Sequence, residues 1–297
     1  TWDATNEIYN ISLTQNSFYA KNQLYKTITK DENWKTGVNN TTEEFKNKRG
    51  QVILKRTYNN SVAHDTYYVY DQYDNLTYVI PPLAADNPFS VLDKLCYQYK
   101  YDSRNRLVAK AIPGKQWEYI VYNKVNLPVA TGPVFSPFGG TNTGWMITKY
   151  DALSRPILTG WYDLVATTGA GRKTYQDLMN NEGANWHETK KSTADALTVD
   201  NITIAYSDRV YPVSAQNPYK LLSINYYDNY DFPHANLINY TVTGVTLATS
   251  LKGLPTGSWV RVLEGEGKTN AEQSYTLYDD RYRPVRSYTK NHLGGFT

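Results

Sequence analysis

Four histidines, one cysteine and 28 carboxylates are the groups in this 297-residue chain with the means for metal, nucleophilic or acid–base chemistry. His64 precedes Asp65, His187 precedes Glu188, His234 follows Pro233 and His292 lies near the C-terminal end. None stands at a His-x-x-x-His or Cys-His spacing that would aim two ligands at one ion, so neither a metal nor a cofactor is expected. Cys96 sits in Leu-Cys-Tyr without a nucleophile signature and reads as a small buried hydrophobe. The glycine-rich pieces TTGAGRK at 167–173 and GEGK at 265–268 lack the GxxxxGK spacing followed by Ser or Thr that cradles a phosphate, and are expected to be turns. Glycoside hydrolysis needs two carboxylates across a cleft, and nothing in the sequence pairs any two of the acids. No catalytic residue is therefore assigned, and the chain is expected to be a non-enzyme. Trp34, Trp117, Trp145, Trp161, Trp186 and Trp259 offer either flat platforms for sugars or filling for a wall, the second being the commoner use of such rings in sheets.

What does recur is a dipeptide. Tyr70-Asp71, Tyr101-Asp102, Tyr150-Asp151 and Tyr278-Asp279 each close a Tyr-rich run, and Tyr122 precedes Asn123 in a fifth copy. Five residues after each Tyr come Asn75, Arg106, Leu127, Arg155 and Arg283, followed by Leu76, Leu107, Pro128, Pro156 and Pro284. The copies at Tyr122 and Tyr150 also agree further along, pairing Pro128, Thr131 and Gly132 with Pro156, Thr159 and Gly160. A register that holds this far is the mark of a repeated supersecondary unit.

Each unit reads as a β-hairpin. Tyr97, Tyr99 and Tyr101 alternate at period two, the turn carries Asp74, Asn105, Asn126 or Ser154 where left-handed backbone is tolerated, and an aliphatic return strand such as Leu107-Val108-Ala109 follows. The motif Asp, at a strand end, is placed to accept backbone N–H bonds from its turn and to pair with the Arg that closes it. EEFKNKRGQVILKRTY reads as a further hairpin with Arg49 and Gly50 in the bend. Two short helices are expected, one from Pro88 through Leu95 behind Asn87, the other around Tyr175, Leu178 and Met179 between Gly171 and Gly183. Four stretches result: 1–46 as an N-terminal edge segment of strands and loops, 47–160 as the repeat hairpins, 161–258 as a divergent insertion within the array in which Tyr227-Asp228 keeps the repeat's flavour, and 259–297 as a returning hairpin.

The pattern Tyr-x-Tyr-Asp, two residues, a turn former and Arg-Leu or Arg-Pro resembles the Rhs or YD-repeat family. YKTITKDENW, TTEEFKNKRGQVILKRTY, YYVYDQYDNLTYVIPP and NYYDNYDFP are similar to segments that precede the Rhs core in long secreted Rhs-like proteins of Bacteroidetes. The resemblance implies an all-β fold: a ribbon of hairpins forming part of a spiralling β-shell, with one or two short helices. It further implies a non-catalytic wall that encapsulates a C-terminal toxin or other cargo, or else a surface adhesin or glycan-binding ectodomain using exposed Tyr and Trp. The partners it implies are the remainder of the same polypeptide, the enclosed cargo, glycans, and the outer-membrane type IX translocon for export, with an extracellular or cell-surface location. Two departures stand against a full match. The family's usual Gly before the Arg is replaced by Asp74, Asn105, Asn126, Ser154 and Tyr282, and the last of these fills a left-handed position poorly. No Asp-Pro occurs, so the family's self-cleaving core has no counterpart.

Composition agrees with a wet sheet. Tyr numbers 28 against seven Trp and seven Phe. Setting Tyr aside and counting Gly leaves roughly 37% apolar residues, below the usual share of about 45–50%. A net charge of +3 makes no basic footprint, so nucleic acid is not expected as a partner. No apolar run is long enough to span a bilayer as a helix, and a piece of a longer, soluble protein is expected.

Overall fold

A computed structural model describes residues 1–14, 19–181, 185–233, 235, 240–265 and 267–296. His234 and Gly183 lie outside them. The chain is all-β, with two α-helices among the described residues. It divides into two compact units, 1–119 and 120–297, the cut falling inside the expected 47–160 block.

In the first unit, strands β1 (Trp2–Asp3) and β2 (Ile8–Tyr9) form a small hairpin. An antiparallel meander follows: β3 (Tyr25–Lys30), β4 (Thr41–Lys46), β5 (Val52–Asn59), β6 (Val62–Tyr70), β7 (Leu76–Ile80), β8 (Tyr97–Tyr101) and β9 (Leu107–Ala111), each paired with the next. Pairing thus begins at β3, ahead of residue 47. All six residues of β3 are exposed, which makes it an uncovered edge. Helix α1 (Pro88–Leu95) starts at the expected proline. Its Val91, Leu92 and Leu95 pack on Tyr78, Ile80, Ala84 and Cys96, and Ile11 and Leu13 close the same cluster. The N-terminal stretch accordingly covers part of a sheet face through residues 11 and 13 and supplies an edge strand through β3. The chain then runs through β10 (Glu118–Tyr122) toward the second unit.

The second unit continues as a meander of β11 (Pro128–Phe135), β12 (Thr143–Tyr150), β13 (Pro156–Tyr162), β16 (Lys220–Asp228), β17 (Leu251–Arg261), β18 (Ala271–Tyr278) and β19 (Pro284–Lys290). Between β13 and β16 come helix α2 (Gly169–Asn181) and a small hairpin of β14 (Leu197–Val199) with β15 (Ile202–Ile204). The stretch 161–258 therefore carries two sheet strands as well as its decoration.

Helix α2 corrects one expectation. The TTGAGRK piece is not a turn but the helix start, because Thr168 caps it: the Arg172 N–H donates to the Thr168 carbonyl at 2.8 Å and the Gly171 N–H to Thr168 Oγ1 at 3.1 Å. Gly171 does not bound the helix but lies inside it, buried, where a Cβ would sit 1.7 Å from the Ala166 carbonyl oxygen. Arg172, Tyr175, Gln176 and Met179 form the buried face of the helix, at the spacing of three and four that a helix requires. Gln176 reads the backbone of Tyr122 in both directions, accepting its N–H at 3.0 Å and donating to its carbonyl at 2.7 Å.

The core here is aromatic. Tyr175 meets Trp145, Tyr162 and Tyr211 edge-on at 5.3–6.0 Å, and Tyr206, Tyr226, Phe232 and Tyr275 form a parallel stack with spacings of 5.6, 4.3 and 5.9 Å. Such large rings need flat neighbours, which explains the glycines shared by the repeats at Tyr122 and Tyr150. At Gly160 an added Cβ would fall 2.8 Å from the Lys220 carbonyl and 2.9 Å from the Tyr219 ring, and at Gly132 it would meet the Gly144 carbonyl at 2.8 Å and the Trp145 ring at 3.1 Å. Gly160→Ala should therefore cost about 2–3 kcal/mol through overpacking against a backbone atom that cannot step aside. A denaturant melt checks this, and an unchanged midpoint would mean that the two strands separate freely.

Candidate functional site: the repeated turn

The repeat dipeptide does two separate jobs, one for each residue. The acid closes its own hairpin. In Asp151, Oδ1 accepts the N–H of Leu153 and of Arg155, each at 2.9 Å, while Oδ2 accepts Arg155 Nε at 2.7 Å. The backbone completes the turn, with Asp151 N–H donating to the Arg155 carbonyl and Ser154 N–H to the Asp151 carbonyl. Asp102 with Arg106 and Asp279 with Arg283 repeat this arrangement, Nε to Oδ2 distances being 2.8 and 2.7 Å. Around Asp71 the amide of Asn75 replaces the guanidinium at 3.1 Å. Asn123 closes the fifth turn by its amide oxygen, accepting from Val125 at 3.1 Å and Leu127 at 2.9 Å. Hydrogen bonds from Arg283 hold the Asp279 carboxyl below the usual carboxylate range.

Two further turns have the same geometry without any Tyr-Asp. Asn47 Oδ1 accepts from Arg49 and Gln51 at 2.9 and 3.1 Å, and Asn291 Oδ1 from Leu293 and Gly295 at 3.0 and 2.9 Å. The first falls in the bend expected at Arg49-Gly50; the second was missed, although Asn followed three residues later by Gly is its signal. In all seven turns the residue three after the acceptor is left-handed: Gly50, Asp74, Asn105, Asn126, Ser154, Tyr282 and Gly294, with φ between 57° and 92°. Tyr282 adopts φ 62° in spite of its bulk.

The tyrosine ties each hairpin to the one before it. Its hydroxyl donates to a backbone carbonyl on the preceding strand: Tyr70 to Val52 at 3.1 Å, Tyr101 to Leu76 at 2.9 Å, Tyr150 to Pro128 at 2.8 Å and Tyr278 to Pro255 at 2.6 Å. Tyr227 does the same to Pro156 at 3.2 Å, so the divergent stretch keeps the tie. Tyr122 contributes its backbone N–H and carbonyl to Gln176 of α2. Asp228 has left the turn role and binds Arg155 twice, at 2.9 and 2.6 Å; this pairing and the Gly253 N–H bring its pKa to about 2. Arg155 thus links its own turn to β16 while lying 4.3 Å over the Tyr227 ring.

Other candidate chemistry disperses. Among the described residues no three His, Cys, Asp or Glu side chains are grouped to hold a metal. His64 lies on β6 opposite Thr57, His187 faces Arg209 at 3.0 Å, and His292 stands 3.7 Å from Glu264. Cys96 is buried, which pushes its thiol pKa up. Trp145, Trp161 and Trp259 are buried and present no platform, while Lys30 and Lys100 lie over the half-buried rings of Trp34 and Trp117 at 3.4 and 4.5 Å. Two clefts remain. One of about 890 Å³ in the first unit is lined by Tyr19, Tyr67, Tyr68 and Tyr70 with Arg49 and Asp74. The other, about 520 Å³ in the second, is lined by residues including Asp163, Thr198, Asn201 and Lys220.

Removing the turn acceptor leaves two N–H groups unsatisfied, so Asp151→Ala should cost about 2–4 kcal/mol. Asp151→Asn, which keeps the oxygen and loses only the guanidinium pair, should cost about 1 kcal/mol. Equal effects in thermal melts would show that the charge, not the acceptor, matters. Tyr282→Gly should stabilise the protein by about 0.5–1 kcal/mol, since an exposed L residue leaves a strained backbone position; a loss of stability of that size would mean that the ring packs to advantage.

No family model matches the chain, and no curated protein does. Among solved structures it is similar to the crystal structures of TcdB2-TccC3-TEV and TcdB2-TccC3-Cdc42, at 11% identity and a TM-score of 0.33 in each case. The likeness covers 84% and 86% of this chain and 14% and 12% of those chains, so the sequence spans only a small part of their length. Neither superposition is deep enough to fix a family.

Proposed function

We propose that the chain is a non-catalytic wall segment of a large secreted or cell-surface Rhs-like protein, built to enclose a C-terminal toxin or other cargo. The observation that supports this reading is the turn with one geometry at seven places, together with tyrosine ties that join successive hairpins. Such a device extends a sheet by addition of units and leaves its half-buried tyrosines on a wet face, which suits a wall better than a filled core. The partners in this reading are the rest of the same polypeptide and the cargo, with the type IX translocon as the export route. Electron microscopy of the parent protein tests it: these hairpins should line a closed cavity holding additional density. A compact barrel or sandwich with a filled interior would overturn it.

The second reading is a surface adhesin or glycan-binding module, favoured by the tyrosine-lined cleft in the first unit and by exposed rings such as Trp2, Tyr25 and Tyr73. In the same micrographs, an open surface with its aromatic side chains turned outward would favour this reading over the wall.

A further inference from the structure

Lys149 and Lys100 occupy the same place in the repeat, immediately before Tyr150 and Tyr101. Their surroundings differ completely. Lys100 lies over the Trp117 ring, whereas Lys149 is 2% exposed and meets two carboxylates contributed by the stretch that follows α2. Its Nζ is 2.5 Å from Asp208 Oδ1 and 3.1 Å from Glu188 Oε1, and it also donates to the Val210 carbonyl at 2.9 Å. Glu188 is fully buried and Asp208 is 6% exposed. Glu188 is held rigidly by Ser207 Oγ at 2.6 Å, by the N–H groups of Arg209 and Val210 at 3.0 Å, and through its own N–H to the Tyr150 carbonyl at 2.8 Å. Asp208 Oδ2 accepts the Ser214 N–H at 2.7 Å, and Oδ1 accepts the Tyr219 hydroxyl at 3.1 Å.

An amine, a carboxyl carbon and a second carboxylate fixed together in a dry site are the components of amide formation. We propose that Lys149 and Asp208 condense to an intramolecular isopeptide bond, with Glu188 as the proton carrier. Fixed proximity replaces a bimolecular encounter, Nζ being held against Asp208 Oδ1 and Glu188 Oε1 at once. The ammonium proton passes to Asp208 Oδ1, and the freed Nζ lone pair attacks Cγ. The new N–C bond displaces the carbonyl pair onto Oδ2, where the Ser214 N–H stabilises the charge. Glu188 Oε1 takes a proton from the adduct nitrogen and returns it to the departing Oδ1 hydroxyl, both oxygens lying against that nitrogen. The carbonyl re-forms, the C–Oδ1 bond breaks and one water leaves. Glu188 is regenerated, and no oxidant or co-reactant is needed. The product staples the stretch carrying Asp208 covalently to β12, in a chain whose single cysteine permits no internal disulfide.

Intact mass spectrometry of the purified chain under denaturing conditions tests this. The expected mass is one water below the sequence mass, and a tryptic map should show the peptide of Lys149 joined to that of Asp208. Glu188→Gln should return the mass to that of its unlinked sequence. An unmodified wild-type mass, or a water loss mapped to any other residue, would overturn the proposal. The wild-type peptide map decides the matter by itself if the variant does not fold.

Discussion

A single acceptor oxygen at the head of each turn is the constraint on which the rest depends. At Asp71, Asp102, Asp151 and Asp279, and at Asn47, Asn123 and Asn291, that oxygen binds the N–H groups two and four residues ahead. These donors belong to the bend, where no neighbouring strand is available to pair with the first of them. Because the oxygen is supplied locally, every hairpin carries its own closure, and strand register is set before the next hairpin arrives. Arg and Asn five residues after the Tyr add a second bond, but Leu127 shows that the turn closes without it.

Local closure would leave a row of independent hairpins, each marginal in water. The tyrosines join them. A phenol is long enough to lie along the sheet surface, covering it with its ring, and to reach a carbonyl on the preceding strand with its hydroxyl. This explains why Tyr is used where Phe would bury equal area, and how a chain with few aliphatic residues holds an extended sheet. In the second unit the added layer of α2, the small hairpin and the aromatic stack supplies the buried area that strands alone lack.

The sequence made the turns legible because their chemistry is local. Tyr-Asp, the turn former and the Arg lie within six positions, so register, hairpin and the Asp–Arg pair could all be read directly. The turn at Asn291 carries no Tyr-Asp dipeptide to reveal it, because the amide oxygen of Asn accepts the turn N–H groups as well as the carboxylate of Asp does. The tyrosine ties were invisible for another reason: each joins residues 18 to 25 positions apart along neighbouring strands, 71 in the case of Tyr227. Distance in sequence also hid the Lys149 cluster, whose carboxylates come from 39 and 59 residues later. Helix α2 was misread at its start because Gly171 signals a break by composition, whereas its lack of a side chain is what lets the capped first turn close against Ala166.

Site-resolved hydrogen exchange of the backbone amides measures the acceptor directly. Among the described residues, the amides of Arg104, Val125, Leu153 and Arg281 bond to the turn oxygen alone, at 2.9–3.1 Å. If that oxygen organises each hairpin, these four amides will exchange as slowly as those of the strands they join. Exchange at the rate of open loops would contradict the account, and would leave the strand pairing itself as the source of the register.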